Sequence, residues 1–209
     1  MKTLSKPDAI EVLDILAEAY PEAQCALNYG SLFELLVSVI LSAQTTDKSV
    51  NQVTPALFSS YPDAASLAIA EEEALWEILN RIGMYRTKSK NIKRMAEMLL
   101  SEYGGRVPGE FDALIKLPGV GRKTANVVLA VGFGEQRIPV DTHVFRVANR
   151  IGLCAEKDVF MTENALMKNL PHGRWTEAHH SLIYHGRNCC FARKPNCGVC
   201  VVGGFCLSR

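Results

Sequence analysis

Along most of the chain apolar residues return every three or four positions, as at Ile10, Leu13, Ala17 and Tyr20, and no convincing run alternates apolar with polar residues. That period belongs to amphipathic helices rather than half-buried strands, so the sequence predicts an all-α protein of about ten short helices. Punctuation separates them. Pro21 stops the first, Ser31 with Glu34 predicts a capping box, Asp63 and the acidic residues 71–73 suit helix starts, and Gly104 with Gly105 ends a helix that begins near Thr87. Pro55 lies inside the helical pattern of 47–58, which predicts a break there with Thr54 capping a second turn. The longest apolar run, 32–43, is interrupted by Glu34, Ser38 and Ser42 and falls short of the roughly 20 residues that span a bilayer. It reads as a core helix.

With 209 residues and 48% hydrophobic content the chain can bury a real core, and two lobes are expected. The opening carries Asp8, Glu11 and Asp14 within its first amphipathic run, unlike a signal peptide, so a cytoplasmic protein with no membrane partner is expected. A net charge of +1 argues against a protein that coats polyanions, while leaving room for a few basic groups beside selected phosphates. Cysteine usage is lopsided: Cys25 and Cys154 stand apart, whereas Cys189, Cys190, Cys197, Cys200 and Cys206 crowd the end of the chain. Without an export signal, that crowding suggests metal or redox chemistry before disulfides.

Cys190, Cys197, Cys200 and Cys206 offer four soft ligands on a stretch where Pro195, Gly198, Gly203 and Gly204 let the backbone wrap. Ligand type leaves structural zinc and a [4Fe–4S] cluster open. His179, His180 and His185 precede the group and read as packing or solvated residues. Upstream, Gly119, Val120, Gly121 and Arg122 form a turn leading into an apolar helix at 125–131. Two glycines let backbone N–H groups approach an anion, and the helix start adds its positive dipole end, which makes a phosphate site. Such a turn by itself is more often a plain helix connection, and residues 111–117 look helical, which excludes the strand a dinucleotide fold needs. Lys123 falls in the first turn of that helix, where the dipole disfavours a cation. That suits an amine nucleophile, although the residues taken alone favour a surface lysine touching phosphate. Asp141 reads as the N-cap of a helix at 142–151 and, if it faces a reacting sugar, as a carboxylate for electrostatic and proton-transfer work.

Taken together, residues 41–47 (Leu-Ser-Ala-Gln-Thr-Thr-Asp), 117–129, 140–147 and His185-Gly186-Arg187 running into the cysteine loop resemble the endonuclease III family, in order, over nearly the whole chain. The resemblance implies a two-lobed helix-hairpin-helix DNA glycosylase fold: a six-helix domain over 25–135, and a cluster domain from 1–24 plus 136–209, with DNA in the cleft between them. It implies Lys123 as a Schiff-base nucleophile, Asp141 as the catalytic carboxylate, and Cys190, Cys197, Cys200 and Cys206 as ligands of a [4Fe–4S] cluster, with Cys189 a spare. The implied substrate is double-stranded DNA bearing an oxidised or saturated pyrimidine such as thymine glycol, flipped out of the helix, and the implied state is a monomer. Gln44 matches the residue that fills the vacated space. Ile82 and Met84 match the wedge region, with methionine where leucine is expected. Arg187, Arg193 and Lys194 flank the first cysteine loop and are expected at the phosphate backbone.

Three rivals remain. An adenine glycosylase of the same superfamily lacks the lysine and carries a further C-terminal domain; a thymine-mismatch glycosylase is opposed chiefly by Lys123. A non-catalytic DNA-binding module would use the hairpin for phosphate and zinc for the tail.

Overall fold

The computed structural model describes residues 2–209, and among them helices are joined by turns with no strand. The helices are α1 (Lys6–Ala19), α2 (Leu32–Leu41), α3 (Asp47–Ser60), α4 (Ala64–Ala68), α5 (Glu72–Leu79), α6 (Tyr85–Tyr103), α7 (Phe111–Leu114), α8 (Arg122–Phe133), α9 (Thr142–Ile151), α10 (Val159–Asn169) and α11 (Trp175–Asn188). Short 3-10 turns lie at His172–Arg174 and Cys197–Val199. No described helix is long and apolar enough to cross a membrane. The chain divides into two compact units, Ala26–Gly134 and a second made of the N-terminal segment through Cys25 with Glu135–Arg209.

The Ala26–Gly134 unit is built on α2, whose residues 35–41 are all buried, and α3, α6 and α8 pack around it. A helix so largely apolar is stable in water only where other helices cover most of its surface. Its N-cap is Ser31, which accepts from the Glu34 amide. The expected reciprocal bond is displaced by one residue, because the Glu34 carboxylate accepts from the Gly30 amide at 2.6 Å instead. The break expected at Pro55 does not occur: α3 runs through it. Proline costs a helix interior about 3 kcal/mol, but Val50, Val53, Thr54 and Leu57 are all buried on one face and hold both halves of α3 to the core. Thr54 is therefore a packed interior residue and not a cap. The unit contains seven helical segments against the six expected, of which α4 and α7 are single turns.

In the other unit α11 packs on α9 and α1. Val144, Val147, Ala148 and Ile151 form one stripe of α9 and meet Val12, Leu13, Leu16 and Leu182 in the core. The close approach of α11 to α9 requires Gly186: a Cβ there would stand 3.1 Å from both the Cβ of His143 and an Arg146 guanidinium nitrogen. Two turns back, His179 is buried and donates from Nδ1 to the Pro139 carbonyl at 2.7 Å, with its ring edge-on to His180.

Burial pushes His180 below its usual value of 6.5, so folding favours the neutral ring. The unfolded chain takes up this proton as the pH falls through 6.5, whereas the folded chain resists it until lower pH. The contribution is therefore complete above that value and lost below it. The melting temperature of the intact protein is expected to fall between about pH 7.5 and 5.5, and to fall less in His180→Gln.

Candidate active site and cysteine centre

The turn before α8 is closed by the Val120 amide donating to the Leu117 carbonyl at 3.0 Å. Gly119 sits at φ +81°, and a Cβ there would stand 3.0 Å from Ile40 Cγ2 and 3.1 Å from Asn91 Cβ, so both the conformation and the packing demand glycine. Gly121, the N-cap of α8, is different: a Cβ on it would meet nothing within 4 Å. No side chain of the capping residue closes this helix, so its start offers backbone amides and the positive dipole end in the way that suits an anion. The phosphate donors expected at this turn are thus narrowed. Val120 has its amide occupied and its side chain buried, and so is set aside as a donor. Arg122 stands over the Phe111 ring at 5.4 Å, and Lys123 is exposed beside it in the first turn.

Asp141 caps α9 with one oxygen. Its Oδ1 accepts from both the His143 and Val144 amides at 2.8 Å, while Oδ2 has no hydrogen-bond partner among the described residues. Capping therefore leaves half of the carboxylate available for chemistry. The pKa of the His143 ring next to it is lowered, chiefly by burial, which the Asp141 carboxylate opposes and Arg146 and Arg187 reinforce. An Arg146 guanidinium nitrogen lies 3.2 Å from His143 Nδ1.

Three exposed non-glycine residues have a left-handed φ, Gln44 at 53° and Met84 at 56° in the Ala26–Gly134 unit and Lys194 at 51° in the cysteine loop. Each such residue costs of order 1–3 kcal/mol and persists where surrounding structure enforces it. The expectation that Ile82 acts as a wedge is corrected. Its side chain is 3% exposed and belongs to the core, so the exposed apolar surface at this corner is that of Met84, at 50%.

The cysteine loop surrounds a cavity of about 220 Å³ lined by Cys190, Cys197, Cys200 and Cys206 together with Cys189 and His185. The four spaced thiols supply soft donors around a space of their own, which fits a sulfur-rich metal cluster. The tightest grouping of potential ligand atoms is a different one: His185, Cys189 and Cys200 lie within 4.8 Å of one another, with His185 Nε2 3.6 Å from the Cys200 sulfur. We weigh the ring of four more heavily, because four spaced thiols make a full set of soft donors; His185 bonds through Nδ1 to the Tyr20 hydroxyl at 3.0 Å, and Cys189 donates to the Asn196 carbonyl. Cys189 and His185 are nonetheless part of the cavity wall, which spacing did not reveal.

Two further residues went unnoticed in the sequence. Arg146 donates to the Cys190 and Gly186 carbonyls at 3.1 and 3.0 Å, and Arg150 to the Phe191 and Ala192 carbonyls at 2.7 and 3.0 Å. One helical turn apart on the polar face of α9, they clamp the first cysteine loop. Their spacing was visible, but it is the spacing of any solvated face. Arg187, Arg193 and Lys194 are exposed around the same loop.

Residues 37–172 match the HhH-GPD superfamily base excision DNA repair protein family, and residues 190–206 match the iron–sulfur binding domain of endonuclease III. The chain is similar to the endonuclease III of Bacillus subtilis (strain 168), 46% identical over 195 residues that cover 93% of this chain and 89% of that protein. Two solved structures match at TM-score 0.94 and 43% identity over 98% of this chain. One is a non-covalent endonuclease III–DNA complex, covered to 96%; the other is a trapped endonuclease III–DNA covalent intermediate described as an estranged-adenine complex, covered to 97%. The second domain match decides between zinc and iron, and the cofactor is a [4Fe–4S] cluster. With one domain match over most of the chain and another closing on the cysteine loop, the protein belongs to the endonuclease III family of helix-hairpin-helix base excision repair DNA glycosylases.

Proposed function

We propose that the protein is a bifunctional DNA glycosylase and AP lyase that removes oxidised pyrimidines such as thymine glycol from double-stranded chromosomal DNA and cuts 3′ to the abasic site, acting as a cytoplasmic monomer. The observation that carries this reading is the start of α8, where an exposed lysine stands on an uncapped helix end beside a glycine with open space before it. The relative trapped covalently on DNA supports a nucleophilic residue in this family.

In this reading the Lys123 amine bonds to C1′ of the flipped nucleotide as the glycosidic bond breaks, and the base leaves with the bonding electrons and takes up a proton. The adduct opens to a Schiff base, a C2′ proton is lost, and the C3′–O bond breaks to release the 3′ phosphate. Asp141, through the oxygen left free by capping, supplies the carboxylate that balances positive charge on the sugar and relays protons. Amides of Gly119, Gly121 and Arg122 hold a phosphate, and Arg187, Arg193 and Lys194 follow the backbone. Gln44 enters the space left by the flipped base, and Met84 wedges the stack beside it. The division of labour puts the hairpin in a domain over 25–135 and the cluster in one formed by 1–24 with 136–209. Bound by Cys190, Cys197, Cys200 and Cys206, the cluster supplies covalent cross-linking of the basic loop.

On duplex DNA with one thymine glycol, borohydride is expected to trap wild-type protein covalently and to trap no Lys123→Ala; strand cleavage retained by that variant would remove Lys123 as the nucleophile. Asp141→Asn keeps a capping side chain, so its melting temperature is expected to stay near wild type while turnover falls by roughly 10²–10⁴. Asp141→Ala should lose the same activity and about 1 kcal/mol of stability as well, measured by denaturant unfolding. Replacing any one of Cys190, Cys197, Cys200 or Cys206 by alanine is expected to abolish visible absorbance and bound iron, whereas Cys189→Ala retains both. Iron retained in the first set and lost in the second would reverse the ligand assignment.

A further inference from the structure

The buried face of α6 runs through Lys88, Ile92, Met95, Ala96 and Leu99, so a lysine occupies a position where helical periodicity calls for an apolar residue. Its side chain is 3% exposed. No carboxylate lies within ion-pair distance of it among the described residues, and Nζ donates to one group, the Thr45 hydroxyl, at 2.6 Å. A buried ammonium with a single neutral partner opposes folding, and burial accordingly lowers its pKa. A leucine or methionine here would continue the stripe at no such cost, so the reason for lysine lies in what its ammonium holds.

The Thr45 hydroxyl accepts from Lys88 and donates onward to the Ala43 carbonyl at 3.4 Å. These two residues flank Gln44, so the relay secures both sides of a left-handed residue from below. At the other end of Lys88 its backbone amide donates to the Met84 carbonyl at 3.0 Å. Met84 is the second exposed left-handed residue of this unit. The side chain of Lys88 is thus bonded to the Gln44 loop, where no glycine eases the left-handed conformation, while its bond to Met84 is a backbone one that any residue but proline would make at this position.

We propose that Lys88 is a positioning residue for lesion recognition, its ammonium holding the loop of Gln44 in its left-handed shape so that the Gln44 side chain is set before DNA arrives. This rests on the reading of Gln44 as a group that enters the duplex. Pre-set geometry matters because a loop ordered only on binding would spend interaction energy on its own ordering.

The test uses the full-length protein with its cluster and the variants Lys88→Met, which keeps the apolar stem, Thr45→Val and Thr45→Ser. Lys88→Met is expected to leave the melting temperature unchanged or raised, because an unpaired buried charge is replaced by apolar surface. Hydrogen exchange of the amides at 43–46 should accelerate, and kcat/KM on thymine glycol duplex should fall about tenfold, the size of one lost charge-assisted hydrogen bond. Thr45→Val should reproduce this and Thr45→Ser restore wild-type behaviour. In a Gln44→Ala background Lys88→Met should cost nothing further, whereas additive losses would show that Lys88 acts elsewhere. Unchanged exchange at 43–46, or a loss of activity that tracks a loss of melting temperature, overturns the proposal. If Gln44→Ala by itself leaves kcat/KM intact, the void-filling role fails, and the exchange measurement still decides whether Lys88 holds the loop.

Discussion

Backbone groups at helix ends and in loops need partners, and the way this chain meets that need shapes its surfaces. Six helix starts are closed by a serine, threonine or aspartate side chain: α1, α2, α3, α4, α9 and α10. At α8 the residue in the capping position is Gly121, which has no side chain to offer. A helix that leaves its first amides to solvent keeps both their hydrogen-bonding capacity and the dipole's positive end available to an anion. The exposed Lys123 sits on that end, so a lysine already disfavoured by the dipole has no neighbouring cap to offset it.

The same constraint governs the cysteine loop. Residues 190–192 have no helix or strand to satisfy their carbonyls, and Arg146 and Arg150 supply the donors from the polar face of α9. The opposite face of α9 lies in the core, and its N-terminus is capped by Asp141. One ten-residue helix therefore fixes the carboxylate, anchors the loop and carries part of the packing. Gly186 makes this possible by letting α11 approach, which explains why a glycine follows His185 at a place where helix propensity argues against it.

Strain is placed differently. The Ala26–Gly134 unit holds Gln44 and Met84 in left-handed conformations that other residues avoid, and it contains a buried lysine with no acid beside it. Features that each lower stability occur together on bonded residues, while the α2 core around them is apolar throughout apart from Ser38. Local departures from the most stable arrangement concentrate where a protein handles a ligand.

Helix class, most boundaries, the cap at Asp141, the placement of Lys123 and the crowding of cysteines were all legible in the sequence, because each depends on period, capping chemistry or spacing within a few residues. The break expected at Pro55 was not borne out, since a local cost of proline was outweighed by four buried neighbours that periodicity could not weigh against it. Ile82 and Met84 looked alike as apolar residues two positions apart, and only packing sent one into the core and left the other exposed. Cys189 appeared spare by spacing yet lies in the cavity wall, and nothing local marks Lys88, which is set apart only by its burial and by its bond to Thr45. In each case the deciding contact joins elements distant along the chain or depends on which side of a turn faces the core. The sequence by itself determined the helices and the residue types available for chemistry; the tertiary structure decided which of those residues are buried, which are held, and which are left free to act, because burial and long-range hydrogen bonding are properties of packed surfaces and not of local order along the chain.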